Sequence, residues 1–586
     1  MNNKFDLDTI RHSCAHLMAQ AIQELFPNEE VQLGIGPVIE HGFYYDIDMK
    51  TRLSEEDLKN VEAKMAAIIE ENLPIVRKEI SREEAVKLFT KMGQTLKVEL
   101  IKDLPANEVI TCYSTGGEDR FIDLCRGPHV ENTKQISQHF KLLHTAGAYW
   151  RGDEKRPMLQ RVYAACFDDR KKLKEHLTFL EEAKKRDHRK LGTELELFHF
   201  DPVAPGSPFF MPKGTIVYNG LIDFIRRMYL KYDYKEVITP QILDVELWHT
   251  SGHYENYKEN MFFTPIENRE FAVKPMNCPC HMLMYRHYQY SYRDLPLRFA
   301  DFGRLHRYEK SGTLAGLTRV RTFCQDDCHI FLPISEITAE VQRVMETFFI
   351  IYKHFGFKNI KLGVSTRPAK KIGSDEVWDQ AEQALMKALD SAGHPYTINE
   401  GDGAFYGPKI DILISDAIGR YHQLGTCQLD FHLPERFDLR FTNQNGEMER
   451  PVVIHRALLG SLERFFGVYL EHVAGVFPFW LAPEQMVIVP VNNAIHLEHA
   501  QKLNRTLTYL GYRTRVDDRN ESMGYKTRQI QKGKIPFMIV IGDREMESNS
   551  VSIRKYGENF SKTLSWDELQ NLLGELSKEK DPIEMR

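Results

Sequence analysis

The segment RFADFGRLHRYEKSGTLAGLTRVRTFCQDDCHIF, residues 298–331, restricts the fold more than any other stretch of the chain. It predicts a strand carrying Arg307, a glycine-bearing loop, and a returning strand carrying Arg319, Phe323 and Gln325. In such a β-hairpin the two arginines can project to one side. Two convergent guanidiniums suit a polyphosphate, and an aromatic ring nearby suits the base of a nucleotide. Ordinary solvated arginines are the competing reading. Neither G-x-G-x-x-G after a strand nor G-x-x-x-x-G-K-[ST] occurs, so phosphates bound here must be gripped by arginine.

A second crowded segment, KPMNCPCH, sets Cys278, Cys280 and His281 within four residues of each other. Taken alone it fits a zinc knuckle, a redox pair or core packing. The nine cysteines are odd in number and scattered without a disulfide framework. The start MNNKFDLDTIRHSCAHL lacks an apolar signal core behind a basic end, and a reducing cytoplasm fits best. No run of about 18 apolar residues offers a membrane span. The net charge of -6 argues against a wholly basic nucleic-acid binder while leaving room for local basic patches.

A chain of 586 residues exceeds one hydrophobic core and predicts about three or four domains. Residues 1–167 mix helical and strand patterns behind an amphipathic helix near Thr9 to Phe26. Residues 168–196 predict a connecting helix, with Leu173, Leu177 and Leu180 at helical spacing in a charged background. Its cluster Lys184, Lys185, Arg186, Arg189 and Lys190 reads as a solvated face that can also meet a phosphate backbone. Residues 197–482 form the largest domain. In 483–586 the apolar runs MVIVPV and PFMIVIGD alternate with helices, predicting a small α/β domain with a mainly parallel sheet. The whole is a multidomain α+β chain.

Near the amino terminus, RHSCAH places His12 and His16 four apart on one helix face, and LCRGPH gives Cys125 and His129 the same spacing. An H-x3-H paired with C-x3-H fits a zinc site, metal-free catalysis or a structural cluster.

The arginine hairpin resembles motif 2 of class II aminoacyl-tRNA synthetases, and of threonyl-tRNA synthetases in particular. EVITPQIL, with Pro240, resembles motif 1; KPMNCP, EGDGAFYGPKIDI and HQLGTCQLDF resemble active-site segments, and VVIHRALLGSLERF resembles motif 3. The similarity runs through both flanks to about Lys580. It implies a class II antiparallel-sheet catalytic core, an α+β editing domain and a carboxy-terminal anticodon-binding domain. It also implies a catalytic zinc on Cys278, His329 and His455, with an open position for threonine, while Cys280 replaces a usual glycine. Arg307 is implied on the α-phosphate and the threonine carboxylate, Phe323 and Glu309 on adenine, and Arg464 with Arg319 on the terminal phosphates. Asp327 and Tyr406 would orient the threonine amino group, with Gln325, Lys409, Gln428 and Ser461 lining the pocket. Magnesium is expected with ATP.

For the first domain the resemblance implies hydrolysis of seryl-tRNA without metal, using His12, His16, Cys125 and His129 together with Tyr45, Lys97 and Asp123. An ordinary surface lysine is the competing reading of Lys97. In the last domain Arg519, Asn520, Lys526 and Arg528 suit single-stranded anticodon bases, and Glu547 lies at a base-reading position. The implied partners are tRNA(Thr), ATP, L-threonine and a second copy of the chain, with no membrane. Most bacterial relatives begin with a ubiquitin-like TGS domain, whereas this chain begins at the editing domain. The rival readings are a non-catalytic tRNA- or mRNA-binding descendant of a synthetase and a free-standing metallohydrolase. Motifs 2 and 3 with all three zinc positions weigh against the first, and the ATP-site residues discriminate against the second.

Overall fold

The computed structural model describes residues 5–153 and 155–582. The chain forms two compact units, Met1–Glu181 and Glu182–Arg586.

The first unit is organised by the helix Leu7–Leu25. Asp6 caps it, its carboxylate accepting the Thr9 N–H at 2.7 Å, so the helix starts two residues before the expected Thr9. Leu17, Met18 and Ile22 are fully buried against Phe43, Tyr45 and Ile47, which alternate along the strand Gly42–Asp48. Each such side chain contributes about 1.5–3 kcal/mol on burial. Gly42–Asp48 lies antiparallel to Met158–Cys166, which pairs antiparallel with Phe140–Tyr149. A second antiparallel sheet joins Ile75–Ile80, Ile110–Thr115 and Ile122–Leu124.

The expected connector is two helices, Arg170–Arg186 and His188–Glu194. Asp187 divides them and caps the second, accepting the Arg189 N–H at 2.8 Å. The first helix buries none of its residues, and the boundary between the two units falls within it. The second belongs to the larger unit, where His188 and Leu191 are buried.

The larger unit is built on a nine-stranded sheet. Its strands follow the order Lys235–Glu236, Leu297–Asp301, Thr322–Leu332, Val452–Ser461, Tyr421–Asp430, Lys409–Ser415, Ile360–Ser365 and Tyr396–Asn399, with Arg304–His306 beside Thr322–Leu332. The six central strands pair antiparallel, and among the described residues only the two outer pairs are parallel. Helices Pro212–Lys231, Ile337–His354 and Leu462–His472 contribute to one continuous apolar core with this sheet.

The carboxy-terminal sheet departs from the expectation of a mainly parallel one. Thr514–Val516, Met486–Pro490 and Phe537–Ile541 are parallel, but Ser550–Lys555 and Lys562–Ser565 extend the sheet antiparallel. These last two strands carry mixed polar residues and gave no apolar run to read.

Candidate active site

Strand pairing assembles the centre of the larger unit. His329 of Thr322–Leu332 lies opposite His455 of Val452–Ser461. The same cross-strand row continues through Gln428 and Lys409 on the next two strands. Cys278 arrives separately, at the start of the helix Cys278–Arg286, where Pro279 fits because first-turn N–H groups have no helical acceptor. The Cys278 thiol and one nitrogen of each histidine lie within 4.8 Å of one another, all three residues buried.

The outer contacts of the rings tell which nitrogens face inward. His329 Nδ1 is 2.7 Å from His281 Nδ1, and His455 Nε2 is 2.8 Å from Asp430 Oδ2. The opposite nitrogens, His329 Nε2 and His455 Nδ1, are buried without a hydrogen-bond partner. Such orphans are costly in a folded protein. Two of them beside a thiol make a donor set that fits tetrahedral zinc with a fourth position open, and His281 and Asp430 fix the rings as outer partners do. Burial, and then His455 and His281 beside it, hold His329 well below the usual imidazole range, so it stays neutral as a ligand must. Burial, followed by the Asp327 and Asp430 carboxylates, pushes the Cys278 thiol well up; it ionises only against a cation.

A cavity of about 420 Å³ opens on this row, and its wall includes Cys278, Arg307, Gln325, Asp327, Tyr406, Lys409, Gln428, His455 and Arg464. Asp327 is pinned by Asn277, whose amide donates to it at 3.0 Å, and burial raises its carboxyl pKa. Lys409 pairs with Asp411 at 2.6 Å, and the Gln428 amide donates to the Gly407 carbonyl at 2.9 Å. Arg307 stands just beyond Arg304–His306, its Nε donating to the Pro275 carbonyl at 3.2 Å and its guanidinium 5.0 Å from the Phe323 ring. Arg464 donates to the Gln423 and Thr318 carbonyls at 2.9 and 2.8 Å. Glu309, Arg319 and Phe323 sit beside the cavity rather than in its wall, and Glu309 is paired with Arg319 at 3.0 Å. Ser461 instead caps the helix Leu462–His472, its hydroxyl accepting the Arg464 N–H at 3.2 Å.

The smaller unit brings its predicted residues together as well. His12, His16, Cys125 and His129 offer ligand atoms within 4.8 Å of one another. Cys125 Sγ is 3.2 Å from both His12 Nε2 and His129 Nε2. Burial pushes its thiol up to about 12 and holds His12, His16 and His129 below the ordinary imidazole range, so neutral groups face one another. Lys97 is no surface lysine: it is buried and lies 2.6 Å from Asp123 and 3.2 Å from the Tyr45 hydroxyl, which itself donates to Asp123.

Sequence reading missed Ser13. Its hydroxyl donates to the Thr9 carbonyl and accepts the Val130 N–H, so His129 Nδ1, 3.0 Å away, carries the proton and turns a bare Nε2 toward Cys125. A serine one position from His12 on the same helix was the available signal.

Three family models match the chain. They are the class II tRNA synthetase core domain (G, H, P, S and T) over residues 260–473, an anticodon binding domain over 485–576, and the threonyl and alanyl tRNA synthetase second additional domain over 110–163. The threonine–tRNA ligase of Bdellovibrio bacteriovorus is 52% identical over 97% of this chain and 86% of its own length. The chain belongs to the threonyl-tRNA synthetases. Threonine–tRNA ligase 2 of Bacillus subtilis is 49% identical over 95% of the chain and 86% of its own length. The crystal structure of the RNA binding domain of threonyl-tRNA synthetase from Cryptosporidium parvum Iowa II covers 68% of the chain, with all of its own length matched, at 45% identity and a TM-score of 0.66.

The residues expected to meet RNA in this threonyl-tRNA synthetase divide. Asn520, Arg528 and Glu547 are exposed. Arg519 is exposed but paired with Asp517 at 2.6 Å. Lys526 departs from the expectation: it is 3% exposed, and its ammonium donates to the Asp517 carbonyl at 2.9 Å, a bond that braces the loop instead of facing a base.

Proposed function

We propose that this chain is a threonine–tRNA ligase. It activates L-threonine with ATP to threonyl-adenylate, esterifies the terminal adenosine of tRNA(Thr), and hydrolyses seryl-tRNA(Thr) made in error. The observation that carries the reading is the convergence of Cys278 and His455, with His329 against them, on one cavity with Arg307, Gln325, Asp327, Tyr406, Gln428 and Arg464.

In this reading Cys278, His329 and His455 hold zinc, which when bound supplies a Lewis-acidic position for the amino group and hydroxyl of threonine. Asp327, pinned by Asn277, and Tyr406 orient the amino group, while Gln325, Lys409 and Gln428 line the pocket and Ser461 caps the helix that carries Arg464. Arg307 offsets negative charge at the α-phosphate during attack. Phe323 and Glu309 take the adenine, Arg319 and Arg464 the outer phosphates, and magnesium accompanies ATP.

Valine lacks the hydroxyl, and a polar site rejects an analogue missing a required group by roughly 10⁴ to 10⁵. Serine lacks only a methyl group, worth roughly 10- to 200-fold. A second, hydrolytic site is therefore needed, and the cluster of His12, His16, Cys125 and His129 with Tyr45, Lys97 and Asp123 supplies it, its neutral imidazoles activating water without metal. Arg519, Asn520, Arg528 and Glu547 are the proposed anticodon contacts.

Two copies associate through motif 1. Leu230 and Ile238 support this, being 85% and 91% exposed around EVITPQIL, where such apolar side chains call for a partner. Among the described residues no helix is long and apolar enough to cross a membrane. The cytoplasm is the proposed location.

Threonine-dependent ATP–pyrophosphate exchange tests the reading, together with charging of tRNA(Thr) by threonine and serine side by side. Absence of threonine-dependent exchange removes it. His12→Ala, His16→Ala and Cys125→Ala keep threonylation and accumulate seryl-tRNA. Clearance that stops on chelation and returns with zinc would replace the metal-free mechanism.

A further inference from the structure

We propose that His188 is a positioning residue that latches the motif 2 loop in the shape that receives ATP. His188 lies outside every motif discussed above, on the helix His188–Glu194, and is 5% exposed. Its Nδ1 stands 2.7 Å from Glu471 Oε1. A carboxylate only accepts, so the proton sits on Nδ1. The bare Nε2 then accepts the Leu317 backbone N–H at 3.0 Å. Asp187, His188 and Glu471 are close enough to share an ion, but both ring nitrogens are already engaged. Glu471 is held in turn, accepting the His188 backbone N–H at 3.0 Å and the Arg420 guanidinium.

The grip falls where it bears on ATP. Leu317 sits in the turn Gly316–Thr318, fully buried. The next residue, Thr318, offers the carbonyl to which Arg464 Nη1 donates, and Arg319 follows. His188 and Arg464 thus hold neighbouring backbone groups of one loop, and the imidazole fixes the carbonyl that aims Arg464. The fit is close: a Cβ at Gly316, where φ is +54°, would come within 2.2 Å of His188 Nε2. The threonine side of the cavity, built on the row His329, His455, Gln428 and Lys409, takes no support from His188. Loss of the latch therefore weakens ATP and spares threonine.

This inference rests on the ligase reading, and the test separates the two. His188→Asn keeps a donor for Glu471 but is too short to accept from Leu317; His188→Gln can reach both. In threonine-dependent exchange the Asn variant should show a KM for ATP raised about 5- to 10-fold, the worth of one lost hydrogen bond, with the KM for threonine unchanged. The Gln variant should return to within about 2-fold of the parent, and the Asn variant, which leaves the buried Leu317 N–H without an acceptor, should melt somewhat below it. A merely structural role would move the KM values for ATP and threonine together, and that outcome overturns the proposal. Equal KM for ATP in the parent and both variants also overturns it. Failure of exchange in the parent enzyme strikes the ligase reading instead.

Discussion

Residues two apart on a helix are separated by about 200° around its axis, so Cys278 and Cys280 cannot address one ion. Cys280 is buried toward Lys274 and Thr239, with its thiol pushed up to about 11 chiefly by burial. Metal analysis should find about one zinc per chain in the parent and in Cys280→Gly, and little in Cys278→Ala, His329→Ala or His455→Ala. Loss of metal from Cys280→Gly would contradict that assignment. The histidines of the smaller unit give a second expectation. His16 and His129 are held neutral by burial, so their folded pKa values lie below the unfolded value of about 6.5. Stability is then complete above that pH and falls as pH drops toward the lowered folded values, by up to about 1.4 kcal/mol per pH unit for each imidazole. Thermal melts between about pH 7.5 and 5 should show the loss, reduced in His129→Gln. The cluster of His12, His16, Cys125 and His129 was legible because each pair lies within five residues. The cluster of Cys278, His329 and His455 was not legible from spacing, since it is made by pairing strands more than a hundred residues apart and by a helix that arrives separately. Lys526 misled because a basic residue in a polar loop reads the same whether it faces RNA or braces its own backbone.

At the level of elements, Arg170–Arg186 stands out as a 17-residue helix with no buried residue. Its packing stops at half-buried contacts such as His176 against His41 and Phe167, and packing supplies most helical stability. Its support includes exposed pairs such as Lys172 with Asp168 at 2.9 Å and Lys185 with Glu182 at 2.8 Å, each weak and screened by salt. Limited trypsin should therefore cut first between Lys171 and Lys185, releasing two folded pieces, and faster in about 1 M salt once normalised to a peptide substrate. First cuts elsewhere would refute this. Leucines at helical spacing foretold the helix, but periodicity says nothing of whether a face is covered. His188–Glu194 was read as more of the same connector because a capping aspartate within a charged run resembles any other acidic residue.

For the whole molecule, sedimentation at micromolar concentration should show a dimer, and Leu230→Glu with Ile238→Glu should shift it to monomer. A fully active monomeric parent would exclude a dimer requirement. The break between the two compact units was readable from the charged connecting run, whereas the antiparallel strands closing the last sheet were hidden by their mixed polarity. The two orphaned nitrogens, His329 Nε2 and His455 Nδ1, reach beyond catalysis. An ion that binds the folded chain and not the unfolded one stabilises it by RT ln(1 + [L]/Kd), roughly 2.7 kcal/mol at a hundred times Kd. If Cys278, His329 and His455 hold zinc as proposed, the melting temperature becomes a titration curve for the free ion. In a starved cell the empty fraction would unfold and be degraded sooner, so metal supply would set the lifetime of the enzyme as well as its rate.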